Sequence, residues 1–345
     1  MAPAQRSLSR ERGLGEPGLS GARAWILTDG KAGDETQCLA VAEALGLSPE
    51  TRRVAPRPPF VWLMPWGPVD PRERASRAGS PIAPPFPDLV IASGRRAVPY
   101  LREVRRRSAG RCFTVFLKDP RTGPGTADLI WAPSYDRVRG PNVVTTLTSP
   151  HRFPAWRLAE ERLRPIARIA ALNAPRVAVL AGGASRHHRF SEGDIARLAA
   201  GLRALAEDGA ALMATTSRRT PPALAAALRA LVAETGGFLW DGTGPNPYGS
   251  MLAMADAIVV TADSVNMLSE AVATGAPVMV FEPSGGRGRP GRLVDELKLM
   301  GVIKSFGGKL ERYTYEKLDS TPVIAQAVAQ GFAAHRAAIG PGGPR

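Results

Sequence analysis

The chain has 345 residues, which at about 150 residues per domain corresponds to two domains with separate cores. Hydrophobic residues make up 44% and charged residues 22%, and no stretch reaches the roughly 18 consecutive apolar residues of a membrane span. A wholly disordered chain and an integral membrane protein are therefore excluded. The formal charge of +14 favours an anionic partner. Because 39 of the 45 basic residues are Arg, the excess indicates codon usage in a GC-rich genome, and we expect no specific nucleic-acid partner.

Two cysteines, Cys38 and Cys112, are too few for a disulfide framework, and no Cys/His cluster has zinc spacing. We therefore expect a cytoplasmic protein with no metal site and no cofactor. Residues 1–21 are rich in Arg, Gly, Ser and Pro and lack the apolar core of a signal peptide. They are predicted to be a disordered tail.

The first half of the ordered chain repeats a pattern of apolar strand, polar loop and amphipathic helix. Strand 24–28 leads through loop 29–35 to a helix at 36–45, and strand 88–92 leads through a turn at 93–96 to a helix ending near 107. Further strands are predicted at 112–117, 129–132 and 142–146. The proline-rich stretch 55–87 is expected to be mostly loop, with a short helix at 60–64.

The pattern restarts after residue 150, with a helix at 155–172. Strands are predicted at 177–181, 211–215, 238–240, 257–261 and 278–281, alternating with helices at 191–207, 223–235, 248–255, 265–274 and 292–300. Such alternation predicts an α/β fold of two Rossmann-like domains whose parallel sheets face an interdomain cleft. The expected divisions are an N-terminal domain at 22–150, a linker helix at 151–175, a nucleotide-binding domain at 176–320, and a C-terminal helix and tail at 321–345.

Loops that join a strand to a helix are candidate phosphate sites, because helix N-termini offer unpaired N–H groups and glycines allow close approach. In the second half such loops also carry arginine, whose fork grips phosphate oxygens. The candidates are Gly30 and Gly33 in the first half, Gly182, Gly183, Ser185 and Arg186 after the strand at 177–181, and Ser217, Arg218 and Arg219 after the next strand. The alternative is that the glycines only close turns and the arginines only solvate the surface.

The segment 263–270 follows an apolar strand and opens a helix. Asp263, Ser264 and Asn266 are expected at the ligand edge, where the helix start would hold a diphosphate. Glu270 lies four residues after Asn266 on the same helical face, where its carboxylate would accept hydrogen bonds from ribose hydroxyls. The alternatives are that Asp263 or Ser264 only caps the helix and that Glu270 is a solvated helix residue.

Three other motifs are rejected. The letters at 286–291 match a dinucleotide fingerprint, but the motif lies late in the chain and carries Pro before its last Gly. Gly30-Lys31 and Gly308-Lys309 lack the spacing of an ATP-binding P-loop. The adjacent His187 and His188 diverge on any regular element and have no acidic partner at helical spacing, so they do not predict a metal site.

The sequence resembles the mitochondrial fission, or elongated-mitochondria, family of plants and bacteria. The resemblance covers residues 23–320 and rests on TDGKAGDE at 28–35, KDPR at 118–121, GPNV at 140–143, LAGG at 180–183, TSRRTP at 216–221, NPY at 246–248 and VTADSVNMLSEA at 260–271. It implies the outline of two-domain GT-B glycosyltransferases. It also implies kinship with a plant member that recruits a dynamin-like fission protein to mitochondria.

The GT-B resemblance implies a metal-independent transferase that binds a nucleotide-diphosphate sugar on its second domain and takes the nucleophile from its first. The family's Pro-x-His-Asp motif reads Pro133-Ser134-Tyr135-Asp136 here, so a histidine base is absent from that position. The remaining candidate bases are Asp29 and Asp34. A non-catalytic scaffold and a nucleotide-sugar epimerase on the same architecture stay open as alternatives.

The helix near residue 100 combines an apolar stripe with arginines. Val98, Leu101 and Val104 form the stripe, and Arg102 with 105–107 fills the rest of the surface. Such a face is compatible with peripheral contact with an anionic membrane. The pattern favours the alternative, a solvated helix face.

Overall fold

The computed structural model describes residues 19–185, 187–240, 242–285 and 288–340. The chain forms two compact units. One unit runs through Arg152 and includes the segment that begins at Ser320, and the other comprises Phe153–Asp319. The predicted tail at 1–21 lies outside the described residues except for its last three.

Within the described residues the strands form two six-stranded sheets. The first unit contains β1 (Ala24–Thr28), β2 (Glu50–Arg53), β3 (Leu89–Ser93), β4 (Phe113–Leu117), β5 (Leu129–Pro133) and β6 (Val143–Thr146). The second contains β7 (Arg176–Ala181), β8 (Ala211–Thr216), β9 (Phe238–Trp240), β10 (Ala257–Thr261), β11 (Val278–Phe281) and β12 (Ile303–Ser305).

The helices alternate with these strands. They are α1 (Ala32–Ala44), α2 (Phe60–Leu63), α3 (Ala97–Arg107), α4 (Ala155–Leu163), α5 (Ala167–Ala170), α6 (Glu192–Glu207), α7 (Pro222–Thr235), α8 (Tyr248–Met254), α9 (Val265–Val272), α10 (Arg289–Leu299) and α11 (Thr321–Ile339). Two short 3₁₀ helices lie at Pro71–Glu73 and Pro124–Thr126.

The sheet of the first unit is parallel throughout, in the order β2-β1-β3-β4-β5-β6. Its inner strands are runs of buried apolar residues, as expected when helices cover both faces. On one face Val41 of α1 and Phe332 of α11 pack on Ile26 and Leu89. On the other face Leu101 of α3 packs in a second cluster. The C-terminal helix thus completes the core of the first unit.

The sheet of the second unit is also parallel, in the order β12-β11-β10-β7-β8-β9. Leu198 of α6 and Leu228 of α7 belong to the core cluster that covers one face, together with Val177 and Val259 of the central strands. Ser191 caps α6 in a reciprocal hydrogen-bonded box with Asp194. The two parallel sheets confirm the predicted α/β class with two Rossmann-like units.

The structure corrects several element boundaries. Helix α1 begins at Ala32 rather than at 36, so Gly33 and Asp34 lie in its first turn and not in a loop. The predicted helix at 155–172 is two helices, because Pro165 lacks an N–H group and interrupts the hydrogen-bond pattern between them. Helix α10 begins at Arg289 rather than at 292, with proline in its first turn.

The apolar stripe of α3 does not face solvent. Val98, Leu101 and Val104 are all fully buried beneath the helix. The predicted membrane-binding face of α3 therefore has no exposed apolar stripe, because these three residues are part of the core.

Candidate functional site

The glycines after β7 are in close contact with the protein's own chain. Gly182 donates its N–H to Thr261 Oγ1 at 2.8 Å, and Gly183 donates to Asp263 Oδ2 at 2.7 Å. A Cβ on Gly182 would lie 2.3 Å from Asp263 Oδ2, and one on Gly183 would lie 2.1 Å from the carbonyl carbon of Arg219. Only glycine allows these approaches.

Asp263 joins three loops. Its buried carboxylate accepts the Gly183 N–H, the Thr261 hydroxyl at 2.7 Å and the guanidinium of Arg219 at 3.3 Å. Burial raises the pKa of Asp263, in opposition to these hydrogen bonds and to the nearby charge of Arg219. The loops after β7, β8 and β10 are thereby fastened to one another at the carboxyl edge of the sheet.

The loop after β8 is built around Thr220. The Thr220 hydroxyl accepts the N–H of Ser217 at 2.8 Å and donates to the carbonyl of Gly182, while Ser217 Oγ accepts the Arg219 N–H at 3.2 Å. Arg219 reaches the carbonyl of Ala184 at 3.2 Å and remains 47% exposed. The neighbouring Arg218 is exposed. This edge therefore presents two guanidinium groups, one of them partly held by the chain.

The rest of the loop after β7 forms a tight turn. Ser185 Oγ accepts the N–H groups of His187 at 3.2 Å and of His188 at 3.1 Å. His188 is buried, and burial lowers its pKa against the opposing charge of Asp263. The predicted Arg186 lies outside the described residues.

Helix α9 opens at the same edge. Ser264 caps it by accepting the N–H of Met267 at 3.5 Å, and Asn266 is half-buried in its first turn. Glu270 is buried, and its Oε2 accepts the hydroxyl of Tyr248 at 2.6 Å. Burial and the Glu270 charge raise the pKa of Tyr248, so the phenol stays protonated as a donor. Glu270 is therefore not a solvated helix residue.

In the first unit, the two candidate bases lie side by side. A Cβ on Gly94 would lie 3.2 Å from Asp29 Oδ1 and 3.3 Å from Asp34 Oδ2. Asp29 pairs with Lys31 through Oδ2 at 2.8 Å, whereas its buried Oδ1 has no hydrogen-bond partner among the described residues. Asp34 pairs with Lys118. The strand ends of β1, β3 and β4 thus bring two carboxylates and two ammonium groups together.

The backbone around this cluster is unusual. Gly30 has φ of +81°, which suits glycine, but Lys118 has the same φ of +81° with a side chain. Such strain in a non-glycine residue is typical of functional sites. Gly33, inside α1, is not part of a loop.

Sequence reasoning did not include Gly94, Lys118, Thr220, Tyr248 or Thr261 among the site residues. Lys118 directly follows β4, so the strand-end rule applied to that strand would have found it. Thr220 lies inside the loop whose arginines were named. Tyr248 comes from a different helix, and only tertiary packing brings it to Glu270.

The arrangement suits an anion more than a cation. The guanidinium of Arg219 contacts Asp263, two residues before α9 begins, and both guanidinium groups and helix N-termini favour negative charge. Among the described residues, no group of three His, Cys, Asp or Glu side chains is arranged to hold a metal ion. Within the same residues, no helix has the length and hydropathy required to cross a membrane.

Comparisons with known proteins agree with this picture of the fold. The chain is 28% identical over 278 residues to the mitochondrial fission protein ELM1 of Arabidopsis thaliana, covering 72% of this chain and 64% of the plant protein. It is 28% identical over 161 residues to an uncharacterised protein of Rickettsia prowazekii, covering 44% of this chain and 45% of that one. The chain thus spans less than two thirds of either relative.

A solved structure from Listeria monocytogenes has a TM-score of 0.51 and 11% identity, covering 91% of this chain and 90% of that one. Its name assigns it provisionally to the UDP-N-acetylglucosamine 2-epimerases. At this identity the similarity shows the fold alone, which is GT-B-like. The sequence model for mitochondrial fission ELM1 matches residues 32–332, and the chain belongs to that family.

Proposed function

We propose that this protein binds a nucleotide-diphosphate sugar at the carboxyl edge of the sheet in the second unit and acts as a metal-independent glycosyltransferase. The proposal depends mainly on one observation. The buried Asp263 accepts hydrogen bonds from the loop after β7 and from Arg219 of the loop after β8. Residues from separate loops are therefore held at one edge, where open α/β sheets bind ligands.

The diphosphate is assigned to the arginines and to the start of α9. Arg218 is exposed and Arg219 is about half-exposed, so both are accessible to a dissolved anion. The first N–H groups of α9 add the positive end of a helix dipole. These groups stabilise the negative charge that develops on a departing diphosphate, which is the main demand of glycosyl transfer without a metal.

The nucleoside is assigned to Glu270. Its carboxylate is held by the Tyr248 hydroxyl, which fixes its position on α9. A positioned carboxylate accepts hydrogen bonds from the two hydroxyls of a ribose. A ribose-binding role gives a functional reason for a buried glutamate on this helix.

The candidate bases of this proposal are Asp29 and Asp34 in the first unit. A carboxylate of this kind acts as a general base by accepting the proton of a hydroxyl group that attacks as a nucleophile. Asp29 fits the role because its buried Oδ1 has no hydrogen-bond partner among the described residues. Each carboxylate also has an ammonium partner, Lys31 for Asp29 and Lys118 for Asp34.

A non-catalytic scaffold is the second candidate. Gly182, Gly183 and Asp263 contact one another and Arg219 within the chain. These polar loop residues therefore have a structural reason to be present, and the plant relative is named for mitochondrial fission rather than for an enzymatic reaction.

Isothermal titration calorimetry with UDP, GDP and their sugars distinguishes the two. The transferase proposal predicts a dissociation constant below the millimolar range for at least one of them. Arg218→Ala should weaken it by roughly 10-fold or more, because a charge-assisted hydrogen bond is lost. Arg229→Ala, which removes an exposed arginine from α7, is the matched control and should leave the affinity unchanged. Folded protein that gives no binding heat with any of these ligands would leave the scaffold function.

A further inference from the structure

A broad groove on the first unit is lined by arginines. It has a volume of about 1050 Å³ and runs between α3 and the turn after α2. Five arginines and one glutamate provide its charged lining: Arg74, Arg102, Arg105, Arg106, Arg107 and Glu103. The groove belongs to neither of the sites described above.

The positive charge of the groove is only partly neutralised. Glu103 pairs with Arg106 at 2.8 Å and with Arg107 at 2.9 Å, so one carboxylate serves two guanidinium groups. Arg105 pairs with Asp128 at 2.7 Å. Arg74 and Arg102 form no ion pair within the described part of the chain, and Arg102 is exposed. The groove therefore carries a net positive charge.

Three large apolar side chains are exposed in the segment 62–66, which reaches this groove through Trp66. Trp62 is 73% exposed, Leu63 50% and Trp66 67%. Trp66 itself lines the groove, and its N–H donates to the carbonyl of Leu63 at 3.0 Å. A Cβ on Gly67 would lie 2.5 Å from Leu63 Cβ, so the turn is tightly packed at this point. Soluble proteins seldom expose such a cluster without a use for it.

We propose that the exposed side chains of Trp62, Leu63 and Trp66 and the arginine-lined groove together form a docking surface for anionic phospholipid bilayers. Tryptophan prefers the interface between headgroups and acyl chains, and arginines beside it bind lipid phosphates. The apolar contribution comes from Trp62, Leu63 and Trp66, not from the buried stripe of α3. Surface binding of this kind needs no membrane-spanning helix.

The exposed apolar side chains favour a bilayer over a nucleic acid as the partner of this surface. Both partners offer phosphates to the arginines, and tryptophan stacks on bases as well as on headgroups. Leu63, however, gains from burial among acyl chains and has no face on which a base can stack. The sequence places it between two exposed tryptophans, which favours the bilayer.

Vesicle flotation with the full chain tests the proposal. The protein should float with vesicles of phosphatidylcholine and phosphatidylglycerol, should not float with phosphatidylcholine alone, and should dissociate at high salt. Arg102→Glu should weaken binding by at least roughly fivefold. Trp62→Ser with Trp66→Ser should weaken it by roughly 10-fold or more, because the interfacial anchors are removed.

Two matched variants on the second unit control for charge and hydrophobicity. Arg229→Glu reverses an exposed arginine, and Leu299→Ser removes a leucine that is 89% exposed. Both should float like the parent protein. Because circular dichroism spectra and melting curves report folding separately, a variant that loses flotation while keeping both has lost the docking surface.

Several outcomes would overturn the proposal: no flotation with anionic vesicles, equal flotation with neutral vesicles, or equal losses in the control variants. Binding to a single-stranded RNA oligonucleotide without binding to vesicles would also overturn it and would identify a nucleic-acid surface. The docking variants are in the first unit, whereas Arg218 and Glu270 are in the second, so the nucleotide affinity of these variants by calorimetry is a separate measurement. Flotation can therefore refute the membrane proposal without affecting the nucleotide proposal, and calorimetry can refute the nucleotide proposal without affecting the membrane proposal.

Discussion

Gly183→Ala would insert a methyl group where the backbone of Arg219 already lies. The new Cβ would be 2.1 Å from both the carbonyl carbon and the carbonyl oxygen of Arg219, and 2.4 Å from the nitrogen of Thr220. Unbonded carbon atoms normally approach no closer than about 3.5 Å. Because all three contacts are to backbone, one loop has to move by more than about 1 Å.

The magnitude follows from two losses. Forcing an extra methyl group into a packed site costs about 1–3 kcal/mol. Moving the loop also breaks the buried hydrogen bond from Gly183 N–H to the Asp263 carboxylate, for which about 1.5–3 kcal/mol is typical. The sum is about 4 kcal/mol, which lowers the melting temperature of a unit of this size by roughly 8–16 °C.

Differential scanning calorimetry measures the shift, and hydrogen exchange of peptides from β7 and β10 locates it. Gly193→Ala is the matched control, because its Cβ would meet only Ser191 Oγ at 3.9 Å within α6. That variant should be stabilised by about 0.5–1 kcal/mol. A Gly183→Ala protein that melts within about 1 °C of the parent, with unchanged exchange in β7, would refute the reasoning.

Three further variants test other contacts. Tyr248→Phe removes the 2.6 Å hydrogen bond to the buried Glu270 and should destabilise the protein by about 2 kcal/mol in urea unfolding. Gly94→Ala combines a φ of +93° with a Cβ 3.2 Å from an aspartate oxygen, so it should cost about 1 kcal/mol more than Gly110→Ala, which has a φ of +73° in open space. Burial raises the pKa of Asp263 above its ordinary 3.8, so the folded protein holds the proton of this carboxyl more tightly than the unfolded chain does. The free energy of unfolding that this difference contributes is present at low pH and is lost as the pH rises through the folded pKa. The stability of the parent relative to Asp263→Asn should therefore fall from about pH 4 upward, and a constant difference would contradict the shift.

Strands were predictable from the sequence where both of their faces are buried, because such a strand reads as a continuous apolar run. Strand β3 is buried at every residue, and such a run between turn signals predicts an inner strand of a parallel sheet. Strand β2 lies at the edge of its sheet, is largely exposed and reads Glu-Thr-Arg-Arg, so its sequence gives no strand signal. Strand β12 is an edge strand of three residues, too short to show a pattern.

Helix starts were predictable where a side chain caps them. Ser191 with Asp194 marks the start of α6, and the predicted boundary agrees with the structure. Lys31 precedes α1 and makes no side-chain cap hydrogen bond, so nothing in the sequence marks that start. This is why Gly33 and Asp34 were expected in a loop.

The strand-end rule predicted which loops share an edge of the sheet but did not reveal what their residues contact. It predicted that Gly182, Gly183 and Asp263 would lie near one another, and they do. The glycines were expected to admit a ligand, whereas in the structure they admit the Asp263 carboxylate and the backbone of Arg219. Distances between loops depend on how helices pack on the sheet, which a local pattern does not encode.

Substitutions of the two adjacent arginines after β8 distinguish an effect on stability from an effect on ligand binding. Arg219 contacts Asp263 and the carbonyl of Ala184, so its removal loosens the loops whether or not a ligand exists. Arg218 is exposed, so its removal should leave the melting temperature almost unchanged. A loss of nucleotide affinity in Arg218→Ala at constant stability would therefore require contact with a ligand, because a scaffold gives no reason for it. The same loss in Arg219→Ala would fit either function, since a displaced loop also displaces its neighbour.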